Sequence, residues 1–169
     1  MEPKVACLDT DYRDDGAQSA CIVIDGWASP HSIERRVAWI ADVAEYVPGQ
    51  FYRRELPCLL AVLREVRSPL DVIVVDGYVW LGERAGLGAH LYDALHRTTP
   101  VVGVAKNAYA GATTARAILR GESARPLYVT AAGMDVDDAA TAVRGMHGDH
   151  RLPTMLLATD RLARATSVG

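Results

Sequence analysis

Short apolar runs broken by turn residues open the chain, and helical spacing takes over after residue 50. Val5-Ala6-Cys7-Leu8 predicts a buried strand over Lys4–Thr10. Asp11 to Gly16 reads as a turn-rich break, and Ala20-Cys21-Ile22-Val23-Ile24 forms the body of a second strand over Gln18–Asp25. A turn at Gly26–Pro30 leads to a third strand within Ser32–Val43, where Ile33, Val37, Trp39 and Ile40 fit neither period cleanly. Leu56, Leu59, Leu60, Leu63 and Val66 then line one face of a helix over Arg53–Val66. Leu70–Val75 is an apolar run interrupted only by Asp71 and bounded by Ser68-Pro69 and Asp76-Gly77, the pattern of a parallel strand buried on both faces. Helical spacing returns at Ala89–His96, strands at Pro100–Ala105 and Leu127–Ala131, and amphipathic helices at Asp135–Met146 and Thr154–Ala165.

Three strands in a row, then alternating helix and strand, predict an α/β fold. The first strands form an antiparallel meander, the later ones parallel crossover units, and helices cover both faces of the mixed sheet. That is the plan of the ribonuclease H-like fold. The sequence has no internal repeat and no low-complexity linker, so residues 1–169 are expected to form a single domain.

Composition narrows the class. The 169 residues are 50% hydrophobic and 23% charged, which suits a folded core and argues against disorder. No apolar run reaches the roughly 18 residues of a membrane span. The N-terminus lacks the basic and apolar regions of a signal peptide, so a cytoplasmic location and no membrane partner are expected. Cys7, Cys21 and Cys58 form no CxxC pair and read as small buried hydrophobes. The formal charge of -3 does not mark a nucleic-acid binder. Acidic nucleases nonetheless exist, because metal ions neutralise both their carboxylates and the substrate phosphates.

Three carboxylates stand out by position. Asp9 lies near the end of the first strand, Asp76 ends the buried strand, and Glu55 begins the connecting helix. Ligands of open α/β sheets collect at strand carboxyl ends. A like-charge pair at 4 Å costs about 4 kcal/mol at an effective dielectric near 20, so such a cluster needs protons or cations. Hard oxygen ligands suit Mg²⁺ or Mn²⁺. Taken singly, each acid has a plainer role: Asp76-Gly77 as a turn, Glu55 as a helix start, Asp9 as a loop cap.

Tyr46-Val47-Pro48-Gly49-Gln50-Phe51-Tyr52-Arg53-Arg54-Glu55-Leu56-Pro57 resembles the PYIPG…F.RE.P motif of endonuclease V. Val74-Val75-Asp76-Gly77 resembles that family's VDG strand end, and Gly86 to Leu91 its G-[LV]-A-S-H helix start. Pro100-Val101-Val102-Gly103-Val104-Ala105-Lys106 is similar to its P-x-[IV]-G-V-A-K strand, with Gly111 in the place of a following glycine. Leu152-Pro153 echoes its LPEPTR segment. The motifs follow the family's order from about residue 5 to residue 165.

The resemblance implies a ribonuclease H-like, Mg²⁺- or Mn²⁺-dependent endonuclease. Such enzymes recognise inosine or deoxyinosine in DNA or RNA and cut on its 3′ side. It implies metal ligation by Asp9, Glu55 and Asp76, and an active-site role for Lys106, otherwise a solvated strand end. It also implies nucleic-acid contacts through Tyr46, Pro48, Gly49, Gly77 and Gly111. In that scheme Tyr46 is a strand-separating wedge; the alternative for it is a core aromatic beside a tight turn. A monomer is expected.

The chain departs from the family in places. Tyr78 to Arg84 replaces G-x-x-H-P-R, with no histidine before His90, and Gly133-Met134 replaces a G-[HN] pair. Asp135 or Asp137 is therefore expected as a fourth acidic ligand on a late helix. His147 and His150 read as exposed loop histidines. Tyr78, Trp80 and Tyr92 either stack on bases or pack beneath the loop. These departures leave open two further functions. One is a non-catalytic nucleic-acid-binding or interaction domain of the same fold. The other is a metal-dependent phosphohydrolase acting on small nucleotides.

Overall fold

The computed structural model describes residues 1–166. Strands β1 (Lys4–Arg13), β2 (Gly16–Asp25) and β3 (Ser32–Ile40) form the expected antiparallel meander. Helix α1 (Phe51–Leu63) leads to β4 (Val72–Asp76). A small hairpin, β5 (Trp80–Leu81) and β6 (Arg84–Ala85), precedes α2 (Leu87–Ala94) and β7 (Val101–Ala105). Then come β8 (Arg116–Ile118), β9 (Leu127–Ala132), α3 (Val136–Arg144) and α4 (Thr154–Arg164). Seven strands make one mixed sheet in the order β3-β2-β1-β4-β7-β9-β8, the ribonuclease H-like arrangement. β1, β4 and β7 run parallel, whereas β9 returns antiparallel to β7.

The central strands are buried on both faces, which explains their continuous apolar runs. Val5, Cys7, Val72, Val74, Val102 and Val104 face α3 and α4. Ala6, Leu8, Ile73, Val75 and Val101 face α1 and α2. β1 continues three residues past the predicted end, because Asp11, Tyr12 and Arg13 pair with Gln18, Ala17 and Gly16 across a two-residue hairpin. The expected turn thus shrinks to Asp14-Asp15. β3 presents Ile33, Val37 and Trp39 half-exposed on one side, so neither a clean strand period nor a helical one shows in its sequence.

Two side chains tie long loops to this frame. The Glu34 carboxylate accepts from Arg67 N at 2.9 Å, Ser68 N at 2.8 Å, Ser68 Oγ at 2.6 Å and Arg36 Nε at 2.7 Å. It clamps β3 to the α1–β4 connection. The Ser68 hydroxyl, the backbone amides and Arg36 together hold the Glu34 carboxyl down at about 2. At the other end, the buried Arg120 guanidinium donates to the carbonyls of Arg144, Met146, Gly148, His150 and Arg151, and so shapes the α3–α4 loop.

Glu34→Ala should lower stability by about 2 kcal/mol, the worth of charge-assisted hydrogen bonds left unmade. For a chain of this size that is a Tm drop of roughly 4–8 °C. The clamp's folded-state pKa lies below its unfolded value. Its contribution is therefore complete above about pH 4.5 and fades as pH falls toward 2. Thermal melts at pH 7 and pH 2.5 check this: the gap between native and variant chains should narrow at the lower pH.

Candidate active site

The parallel pairing of β1 and β4 sets the site. Cys7 lies beside Val74 and Leu8 beside Val75, so the next residues, Asp9 and Asp76, emerge side by side. Both continue the face carrying Val5, Cys7, Val72 and Val74, by the two-residue period of a strand. Glu55 reaches the same strand ends from α1, where it is almost wholly buried. Asp9, Glu55 and Asp76 thus lie toward the same end of the sheet.

The acids act on one another electrostatically. Burial, then the charges of Asp9 and Asp76, push the Glu55 carboxyl up to about 8. Burial, then the Asp76 and Asp160 carboxylates, push Asp9 up to about 7, although the Thr10 amide donating to its Oδ1 at 2.9 Å works the other way. Among the described residues, no three His, Cys, Asp or Glu side chains are gathered at metal-binding distance.

Asp160 is the acid that sequence reasoning missed. It sits on α4 and lines a narrow cleft of about 50 Å³ together with Asp9, Asp76 and Lys106. On α4, Met155, Thr159 and Ala163 form the buried row, so Asp160 looked like an ordinary polar position beside it. Asp135, expected here, is instead the N-cap of α3 and accepts from Asp137 N at 2.9 Å and Asp138 N at 3.1 Å. It borders a separate cleft beside Trp80. Asp137 pairs with Arg116 at 2.7 Å. Both carboxylates point away from the cleft of Asp9 and Asp76, whereas Asp160, although paired with Arg164 at 3.1 Å, lines it.

Lys106 directly follows β7, and its Nζ lies 3.7 Å from Asp76 Oδ2. Arg151 donates to the carbonyl oxygens of Lys106, Pro126 and Arg125. It therefore holds the strand end that carries Lys106 against the loop leading into α4. Gly103, inside β7, permits the chain after Asp76 to turn closely over this strand. A Cβ there would collide with the Gly77 carbonyl and meet Thr130 Oγ1 and Val79 N at 2.9 Å. The Thr130 hydroxyl accepts from Val79 N at 2.8 Å and completes that turn.

A wider cleft of about 330 Å³ opens on the other side of Asp76, between Gly49, Phe51, Tyr78 and Arg84. Tyr46 stands 58% exposed on the loop before α1 and contacts the exposed Phe51 edge-on, with ring centroids 6.3 Å apart. Pro48 and Gly49 are exposed in the same loop, with Gly49 at φ 79°, a conformation that favours glycine. Gly77 directly follows the acid and lines the wider cleft. Gly111 lies against the small hairpin, where its carbonyl packs tightly over Gly82. Tyr78 also borders the cleft, and its hydroxyl donates to the Asn107 carbonyl at 2.6 Å. Trp80 donates to the Ala131 carbonyl at 3.0 Å, and Tyr92 packs partly buried on the core, so these two support the loop. His147 and His150 are exposed, as expected.

The sequence model of the endonuclease V family matches residues 2–121. An endonuclease V of Nocardia farcinica is 30% identical over 183 aligned positions, spanning 95% of this chain and 80% of that protein. The crystal structure of endonuclease V from Streptomyces avermitilis aligns with a TM-score of 0.84 at 26% identity, covering 97% of this chain and 82% of that one. A Ciona intestinalis endonuclease V, solved with a 24mer DNA containing an inosine followed by a ribo-adenosine, shares the fold with a TM-score of 0.82 at 17% identity, over 96% and 84% of the two chains. The family model spans Asp9, Glu55, Asp76 and Lys106, and the fold agrees over nearly the whole length. The chain belongs to the endonuclease V family of nucleases.

Proposed function

We propose that this single-domain chain is a divalent-metal-dependent endonuclease that cleaves a phosphodiester bond 3′ to inosine or deoxyinosine in a nucleic acid. The observation that carries the proposal is that Asp9, Asp76 and Asp160 line one cleft with Lys106, while the buried Glu55 carboxyl lies within electrostatic reach of Asp9 and Asp76. The donor set fits a hard cation: it is all carboxylate, partly buried, and destabilised by its own charge. Asp9, Glu55, Asp76 and Asp160 would hold Mg²⁺ or Mn²⁺. When bound, that ion polarises the phosphate and makes water easier to deprotonate. Lys106 places a point charge where the scissile phosphate meets the acids. The exposed Tyr46 fills the gap left by an extruded base, and the wider cleft beside Asp76 has room to receive that base. The protein is expected to act as a cytoplasmic monomer.

Cleavage of labelled single-stranded DNA and RNA containing one inosine, with Mg²⁺ or Mn²⁺, tests this reading. The native chain should cut, and Asp76→Asn should lose at least about 100-fold in rate. Asp160→Asn should lose a comparable amount, whereas Asp135→Asn should keep native turnover. Binding without cutting would instead identify a non-catalytic member of the fold. Turnover of mononucleotides alone would identify a phosphohydrolase.

The raised carboxyls also tie stability to pH in the metal-free protein. Asp9 and Glu55 keep protons in the folded chain that the unfolded chain releases near pH 4. Stability should therefore fall as pH rises from about 4 to about 8, and level off above. Glu55→Gln removes one of these charges at little change in shape. Melts in EDTA at pH 8 should show the variant several degrees more stable than the native chain. The native chain should recover stability on addition of Mg²⁺ or Mn²⁺, and the variant much less.

A further inference from the structure

We propose that Gln18 is a positioning residue of the metal site: its buried amide, with Arg13 beside it, grips the last turn of α4 and sets where Asp160 meets Asp9. This rests on the reading of the site as a divalent-metal centre and deepens it by naming what fixes the fourth acid.

Gln18 lies inside β2 and is 4% exposed. The two-residue period puts it on the face of Ile22 and Ile24, beneath α4, and the antiparallel register sets it opposite Asp11. Asp11 follows Asp9 by two residues on the same strand, so Gln18 sits one step beyond Asp9 on the face that carries the site. Its Nε2 donates to the carbonyls of Leu162 at 3.1 Å, Ala163 at 3.2 Å and Ala165 at 2.8 Å. Arg13 Nη2 donates to the Ala163 carbonyl at 3.0 Å and the Ala165 carbonyl at 3.1 Å. Arg13 is itself held by Asp11 Oδ2 at 3.1 Å and by the Trp39 ring, whose centroid lies 5.8 Å from its guanidinium carbon.

The last carbonyls of a helix have no partner within it. α4 ends at Arg164, and Ala165 is extended at φ −63° and ψ 133°, so no left-handed residue turns the chain back to take them. Gln18 and Arg13 do so from the sheet. Sliding or turning α4 by one residue would strand a buried amide without its acceptors. Apolar packing holds the helix less firmly here. The buried row runs Met155, Thr159 and Ala163, so beside Asp160 it narrows to two small side chains.

The grip reaches the carboxylate by a short path. Asp160 lies one helical turn before Ala163. Arg164, between the gripped carbonyls of Ala163 and Ala165, donates from Nε to Asp160 Oδ1 at 3.1 Å. Asp160 stands within hydrogen-bonding reach of Asp9 and, after burial and the Asp76 charge, helps to raise its carboxyl. The β1–β2 hairpin therefore carries Asp9 and, a few residues further on, holds the helix that brings Asp160 to it. Residues that orient metal ligands in this way tune metal affinity by about 10- to 100-fold.

Mn²⁺ dissociation constants, read from the free-ion electron paramagnetic resonance signal well below the Tm, test the assignment. Gln18→Met keeps the length of the side chain and removes its donors. It should weaken Mn²⁺ binding about tenfold. Asp160→Asn should weaken it at least as much. The double variant should bind no more weakly than Asp160→Asn alone, because Gln18 acts through that acid. Arg13→Met removes two of the five bonds at a part-exposed position and carries the same test should Gln18→Met not fold. It should weaken Mn²⁺ binding by a smaller factor, and not at all beside Asp160→Asn. Native affinity in a folded Gln18→Met chain, even with a lowered Tm, would make Gln18 a structural cap only and overturn the proposal. Unchanged affinity in Asp160→Asn would overturn it too, as would a double variant weakened by the product of the two single effects. In each of those cases Mn²⁺ still binds the native chain and the metal-site reading stands. A native chain that binds no Mn²⁺ would overturn that reading as well.

Discussion

The parallel ladder between β1 and β4 is the constraint on which the site depends. It sets two aspartates side by side at adjacent strand ends, where their charges repel. Nothing in local propensity asks for this. The apolar bodies of the two strands, buried on both faces, supply the stabilisation that holds the pair together. A slip of one residue in either strand would turn its aspartate to the opposite face. The continuous valine and isoleucine run of β4 and the α-helices above and below it therefore do more than fill a core. They fix which carboxylates meet.

The fourth acid depends on a different device. α4 carries Asp160, but α4 is reached through an irregular loop after α3. Arg120 gathers five carbonyls of that loop, and Arg151 ties its far end to the strand end carrying Lys106. Two arginines thus do for irregular backbone what the ladder does for β1 and β4. A guanidinium suits this work because its donors are arranged in a plane and it never loses its charge. The result couples the position of Lys106 to that of the helix bearing Asp160.

What could be read from the residues follows from these causes. The strands and helices with strong periodicity, such as α1 and β4, were legible because burial on one or both faces imposes a pattern. Asp9 and Asp76 stood out because each follows the apolar run of a buried strand, and Glu55 because it lies near the start of a periodic helix. β8 was not, because Arg116–Ile118 is a three-residue edge strand with only Ile118 buried. Asp135 was a misleading candidate for a physical reason. A helix N-cap and a metal ligand both call for an exposed carboxylate beside a helix start, and only hydrogen-bond geometry tells them apart. Asp160 was hidden in the opposite way, since a polar residue flanking a buried helical row carries no mark of what it faces across the cleft.

The unsatisfied groups of this fold are not scattered. The raised carboxyls of Asp9 and Glu55 and the unpaired atoms of Tyr12 and Arg54 lie around one end of the sheet. Elsewhere Glu34, Arg120 and Arg151 show that the chain supplies partners readily where structure alone is at stake. Repelling acids and an unmatched guanidinium destabilise the same region in opposite electrical senses, so no single proton or ion relieves both. In the proposed nuclease reading a divalent cation would neutralise the acids together, which a single proton shared among them cannot do.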